Sequence, residues 1–199
     1  MTASRTVITP PTPERARVLL INGAENDERT TRMIALSREL LEAEGMEVDL
    51  LDPAVHRPTD VYEKWLFAHA VLVIAPAGNS AIATCFKPAI DRMASAGYPV
   101  QLADRAYGVV VHGDSEAAEQ SRRALTGWFD QLGMVDSDSF AILDRYVGYQ
   151  ESFQGGEPAR ADEDYQAEVR NVALAVSSAV NDLRAGRLTP PERRARRIA

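Results

Sequence analysis

Several absences narrow what this chain can be. It holds a single cysteine, Cys85, in 199 residues, so no disulfide can close within it. No run approaches the roughly 18 apolar residues that a membrane-spanning helix needs. The N-terminus shows no positive region followed by an apolar core, so no secretory signal is expected and the cytoplasm is the expected compartment. No nucleotide P-loop, no Ser/His/Asp set and no cluster of residues at metal-ligand spacing occurs, so no metal site is expected. Of the three histidines, His56 and His69 have no partner at a useful spacing.

What is present fits one globular domain. The length lies in the single-core range, and the hydrophobic fraction of 45% is ordinary. The net charge of −7 does not favour nucleic acid as a partner. That charge is uneven. From Arg184 onward six arginines face one glutamate, so the end carries about +5 and the rest about −12. The stretch RAGRLTPPERRARRIA is interrupted by prolines and poor in apolar residues, which predicts a basic, flexible tail over 185–199. Residues 1–14, with Pro10, Pro11 and Pro13, predict a flexible N-terminal arm, leaving 15–184 as the domain.

The core is organised around AVLVIAPAGNSAIATCFKPAIDRM, residues 70–93. Ala70 to Ala75 is a continuous, β-branched run, as in a strand covered on both faces, and Pro76 is expected to stop it. Ala77 to Ala83 reads as a loop of small and polar residues over which a flat ligand could lie. Thr84 is a candidate N-cap, and Pro88 is tolerated only in a first turn, so a helix is expected to start near 85–87 with Ile90 and Met93 facing the sheet.

The remaining pattern alternates. RVLLIN (17–22) reads as a strand, Gly23 to Thr30 as a polar loop, and 31–43 as a helix with Met33, Ile34, Leu36, Leu40 and Leu41 at helical spacing. Gly45 is placed as a C-cap glycine, and 46–51 as a second strand. A short helix at 60–69 carries Trp65, Leu66 and Phe67. Arg105 to Val111 reads as a strand and Ser115 to Leu132 as an amphipathic helix ended by Gly133. Phe140 to Leu143 is expected as the last strand and 145–158 as an aromatic, glycine-rich loop. The closing helix, 161–183, carries Val169, Val172, Leu174, Val176 and Val180. Such alternation predicts a doubly wound α/β sheet of about five parallel strands, with ligands bound beyond the carboxyl ends of the strands. Three loops occupy those ends: 23–30, 76–83 and 112–115.

The chain resembles the flavodoxin-like NAD(P)H-dependent FMN reductases over about residues 17–183. In that family a loop is followed by a helix with an LK-x-x-ID signature, and FKPAIDRM matches it at Phe86, Lys87, Ile90 and Asp91. The second segment that carries the likeness is YGVVVHGDSEAAEQSRRALTGWFDQLGM. The resemblance implies a three-layer α-β-α sandwich, FMN as cofactor and NAD(P)H as co-substrate. It assigns the FMN phosphate to the first loop, with Asn26, Arg29, Thr30 and Thr31. It assigns the flavin ring to the second loop, with Pro76, Ala77, Gly78, Asn79 and Ser80, and to the third, with His112, Gly113 and Asp114. Asp114 is equally a helix N-cap.

The chain departs from the family in two places. Its second loop offers no aromatic for the ring, so stacking would fall to Trp65, Tyr98, Tyr146, Tyr149 or a second subunit. Its first loop carries Glu25, Asp27 and Glu28. A carboxylate about 5 Å from a phosphate charge costs roughly 3 kcal/mol at an effective dielectric of 20. The alternative for these acids is that they cap the following helix.

The expected function is an FMN-dependent NAD(P)H oxidoreductase acting on a small organic acceptor, such as a quinone, a flavin or a pathway intermediate. His112 is the candidate catalytic side chain, a homodimer is the expected assembly, and neither membrane nor nucleic acid is an expected partner. Two alternatives remain: a scaffold that has lost FMN and acts as a binding module, or a non-redox enzyme using the same pocket.

Overall fold

The computed structural model describes residues 15–24, 27–52, 55–78, 86–97, 105–113, 115–137 and 158–188. Among them are five strands and five helices, in the order β1 (Arg17–Asn22), α1 (Glu28–Ala43), β2 (Glu47–Leu51), α2 (Pro58–Phe67), β3 (Ala70–Pro76), α3 (Lys87–Ser95), β4 (Ala106–His112), α4 (Ser115–Gln131), β5 (Val135–Asp136) and α5 (Pro158–Arg184). The strands form one parallel sheet of order β2-β1-β3-β4-β5. The order reverses direction between β1 and β3, which makes the carboxyl ends of these strands the topological switch point.

Both faces of the sheet are buried at β1, β3 and β4, which is why these strands are continuous apolar runs rather than alternating ones. Leu19, Ile21, Val71, Val73, Ala75, Tyr107, Val109 and Val111 point to one face and pack under α2, α3 and α4. Val18, Leu20, Ala70, Leu72, Ile74, Ala106 and Val110 point to the other, under α1 and α5. Gly108 belongs to this second face. A Cβ there would stand 2.5 Å from Val176 Cγ2 and 3.0 Å from Val172 Cγ1, so α5 can lie this close to β4 only over a glycine.

The first face holds the aromatic core. Trp65 is 1% exposed, with its ring 4.7 Å from Phe86 and 5.7 Å from Trp128. Phe129 links this group to Tyr107 at 5.0 Å. Trp65 is therefore spent on the core, and the expectation that it stacks on a ligand ring is corrected.

Other boundaries differ from the sequence expectation for local reasons. The first helix begins at Glu28, not Thr31, because Asp27 caps it: its carboxylate accepts from the Thr30 amide at 2.8 Å. Pro76 ends β3 from inside, paired in register with His112. Pro58 starts α2 and Pro88 sits in the first turn of α3, where neither costs a helical hydrogen bond. Gly45 and Gly133 follow their helices with positive φ, as expected. The fifth strand is Val135–Asp136, two residues that pair with Ala106 and Tyr107. Such a short strand leaves no periodic signal. Leu174 is 40% exposed, not part of the core stripe of α5. After α5 the chain turns back, with the Arg187 amide donating to the Asp182 carbonyl and Leu188 packing on the core.

Several expectations fall outside the described residues: the arm at 1–14, the strand at 140–143, the loop to residue 157, the tail from 189, and Glu25, Asn26, Asn79, Ser80, Thr84, Cys85, Tyr98, Asp114, Tyr146 and Tyr149. No helix among the described residues is long and apolar enough to cross a membrane, and no cluster of three or more metal-ligating side chains occurs among them.

Candidate functional site

The carboxyl ends of β1, β3 and β4 are tied together by the loops that leave them. The Gly23 amide donates to the Ile74 carbonyl at 2.8 Å, joining the first loop to β3. The Ala77 amide donates to the His112 carbonyl at 2.6 Å, joining the second to the third. Gly113 follows at φ +131°, and a Cβ on it would sit 3.0 Å from that of Ala77, so this pair of loops closes only over a glycine. The Gly78 amide donates to Ser121 Oγ on α4 at 3.1 Å. Nothing in the sequence pattern marks Ser121 for this role.

The second loop starts as a small, open surface. Gly78 is exposed at φ +70°, and among the described residues no atom lies within 4 Å of where its Cβ would stand. Pro76 and Ala77 are half-buried beside it. Proline has no N–H, and the amides of Ala77 and Gly78 are already used. Polar contacts to a ring edge therefore fall to other groups.

The centre of the site is a chain of three side chains, Asp27, Thr30 and His112. Thr30 has no exposed surface, and His112 is 4% exposed. Thr30 Oγ1 bonds to Asp27 Oδ2 and lies 2.8 Å from His112 Nε2. A hydroxyl has one proton and a carboxylate can only accept, so Thr30 donates to Asp27. His112 Nε2 must then carry the proton that it donates to Thr30, leaving Nδ1 as the acceptor nitrogen. This bond joins α1 to β4 across 82 positions of sequence.

His112 Nε2 also stands 3.3 Å from Asp27 Oδ2, an ion pair only if the ring is protonated. Burial pushes the imidazole below its ordinary value. Asp27 pulls it upward, Arg29 pushes it down further, and burial prevails. The ring is thus neutral at pH 7. For Asp27, burial raises the carboxyl, but the Thr30 hydroxyl and amide, His112 and Arg29 together hold it below the usual range. The carboxylate is ionised.

The sequence-nominated residues separate accordingly. Thr30 and His112 meet, but they meet each other. Thr31 is exposed, and its hydroxyl turns back to the Asp27 carbonyl at 2.9 Å. Arg29 is half-buried in the first turn of α1 and acts on both Asp27 and His112. Asp27, noted in the sequence only as a misplaced acid or a cap, is the residue that organises the group. Its signal was the Asp-x-x-Thr spacing of a helix start. Glu28 is turned outward, paired with Arg32 at 2.6 Å. Beside this group a cavity of about 470 Å³ opens between α1 and α5, lined by Asp27, Arg29, Arg32, Met33, Gln166 and Val169 among others.

This geometry matches known proteins at the level of family and fold. The profile of the NADPH-dependent FMN reductase family matches residues 16–147, about two thirds of the chain. The chain belongs to that family. Among solved structures, this FMN reductase family member is similar to a diflavin flavoprotein A3 from Nostoc sp., at TM-score 0.58 and 11% identity over 88% of this chain and 100% of that one. It is also similar to a flavodoxin from Pseudomonas aeruginosa, at TM-score 0.54 and 17% identity over 80% and 98%. A flavone reductase matches at TM-score 0.54 and 12% identity over 80% of this chain and 62% of that one. These likenesses show a flavodoxin-like fold. No curated protein matches the sequence.

Membership in the family makes this a flavin-associated oxidoreductase and implies FMN. The ring end of the site suits a flat ligand: it is open and built from small residues. The described residues that the resemblance assigns to the FMN phosphate do not present a vacant anion site. The head of α1 already holds a carboxylate, and among the described residues the buried side-chain atoms left without a partner lie on Arg17, Ser37, Trp65, Ser137 and Ser177, none at the Asp27–Thr30–His112 group.

Proposed function

We propose that this protein is a flavin-dependent oxidoreductase that passes reducing equivalents from NAD(P)H to a small organic acceptor, such as a quinone, a free flavin or a pathway intermediate, in the cytoplasm. The observation that carries the reading is the convergence of three loops at the switch point in a chain of this family. A bound flavin supplies the electron chemistry, and the chain supplies orientation and exclusion of water. Ala77, Gly78 and Gly113 offer the flat, small-residue surface on which a ring can lie.

His112 acts here as a positioning residue, since its Nε2 is spent on Thr30 and its ring is buried. It holds the third loop against the head of α1. Trp65 is locked in the core, so a cover for the outer face of the ring must come from the Tyr98, Tyr146 or Tyr149 region or from a second subunit. A homodimer is part of the proposal for that reason.

The test is to titrate the full chain with FMN and with riboflavin, following flavin fluorescence. NADPH oxidation in the presence of a quinone is then measured. Saturable quenching and flavin-dependent NADPH turnover are expected. No quenching by either flavin up to about millimolar concentration would favour a scaffold that has lost its flavin.

A further inference from the structure

Resting on that flavin reading, we propose that Asp27 occupies the place of a ligand phosphate at the head of α1, so that the site takes a flavin without a terminal phosphate, such as riboflavin, in preference to FMN. A helix start beside the switch point is where a ligand anion is normally held, by free amides and the positive end of the dipole. In this chain the anion is built in. Asp27 Oδ2 accepts from the Thr30 amide at 2.8 Å and from the Thr30 hydroxyl, and stands 3.3 Å from His112 Nε2.

Thr31, the next donor along the first turn, is also committed. The Thr31 amide and hydroxyl both go to the Asp27 carbonyl, at 3.0 and 2.9 Å. Arg32 pairs with Glu28, and the charge of Arg29 acts on Asp27 itself. Thr30 carries the buried hydroxyl that a phosphate cradle here would draw on. Thr30 is fully buried and fully satisfied.

At the head of α1 a phosphate could enter only by displacing the carboxylate or by standing next to it. Displacement strips the cap from α1 and unseats Thr30. Adjacency sets a dianion against a carboxylate held in its ionised form. Either route weakens FMN relative to a flavin whose side chain ends in a neutral hydroxyl. The ring end of the site is the same for both, so the effect belongs to the phosphate alone.

The experiment compares riboflavin with FMN on the full chain, in the wild type and in Asp27→Asn, by fluorescence quenching at low and high salt. Asn keeps the N-cap, and Asp27→Ser is the second variant should Asn fold poorly. In the wild type riboflavin should bind at least as tightly as FMN. Removing the charge should tighten FMN at least about tenfold and riboflavin by less than about twofold, with the difference shrinking at high salt. FMN binding tenfold or more tighter than riboflavin in the wild type would overturn the inference and leave the flavin reading standing. So would a substitution that moves both flavins equally or neither. Absence of binding by either flavin in both proteins would overturn the reading and the inference together.

Discussion

Replacing Thr30 by Val removes one hydroxyl and almost no volume, at a position with no exposed surface. The oxygen lost serves two partners unequally placed. The Asp27 side chain is 36% exposed, so water can replace the lost bond and its contribution is small. The His112 side chain is 5% exposed, so its Nε2–H is left in the interior with no acceptor but the more distant carboxylate. An orphaned buried donor costs about 1–3 kcal/mol, and the weakened cap adds to it. The sum is about 2–3 kcal/mol. For a chain of this size that lowers Tm by about 4–12 °C. Urea unfolding followed by the fluorescence of Trp65 and Trp128, both in the core, reads the same quantity. Thr30→Ser is the control: it keeps the oxygen and loses a buried methyl, costing about 1 kcal/mol. If Val costs less than Ser, or if neither differs from the wild type, the hydroxyl does not hold α1 to β4 and the account of the site fails.

Two further outcomes follow from the packing and the titrating groups. Gly108→Ala puts a methyl 2.5 Å from Val176 Cγ2 and should destabilise by about 1–3 kcal/mol, with partial recovery in the Gly108→Ala, Val176→Ala pair; a variant that melts with the wild type would mean α5 is not so closely seated. Acid should destabilise the fold below about pH 6.5, the ordinary histidine value. His112 and His69 are both held below it, chiefly by burial, so the unfolded chain takes up protons that the folded chain refuses. His112 contributes a loss of up to about 1.4 kcal/mol per pH unit as pH falls from there toward its folded value, and half-buried His69 contributes less because solvent screens it. In urea midpoints measured from pH 8 to pH 5, His112→Gln should flatten the slope in part, leaving the share of His69; an unchanged slope would mean that His112 is not held neutral.

The sheet was legible in the residues because burial on both faces writes itself as continuous apolar runs. Leu19 to Ile21, Val71 to Ala75 and Val109 to Val111 read as strands, and the amphipathic spacing between them showed that helices run there, though not that the first starts at Glu28. The alternation of the two implied a parallel sheet and placed three loops at one end. Local chemistry set Pro88 in a first turn and glycines at 45 and 133 after their helices. Pairings between distant positions were a different matter. The two residues of β5 are a strand only because Ala106 and Tyr107 lie beside them. Trp65 looks equally fit for a ligand or a core until Phe86, Trp128 and Phe129 surround it. Thr30 and Asp27 read as loop residues near a phosphate, with capping as the alternative for Asp27. Only the fold brings His112 from the end of β4 onto Thr30, burying the hydroxyl and spending its proton on Asp27. Sequence determined the kinds of group at the site, while the tertiary structure decided which of them satisfy one another, because a hydrogen bond across 82 residues has no periodicity to betray it.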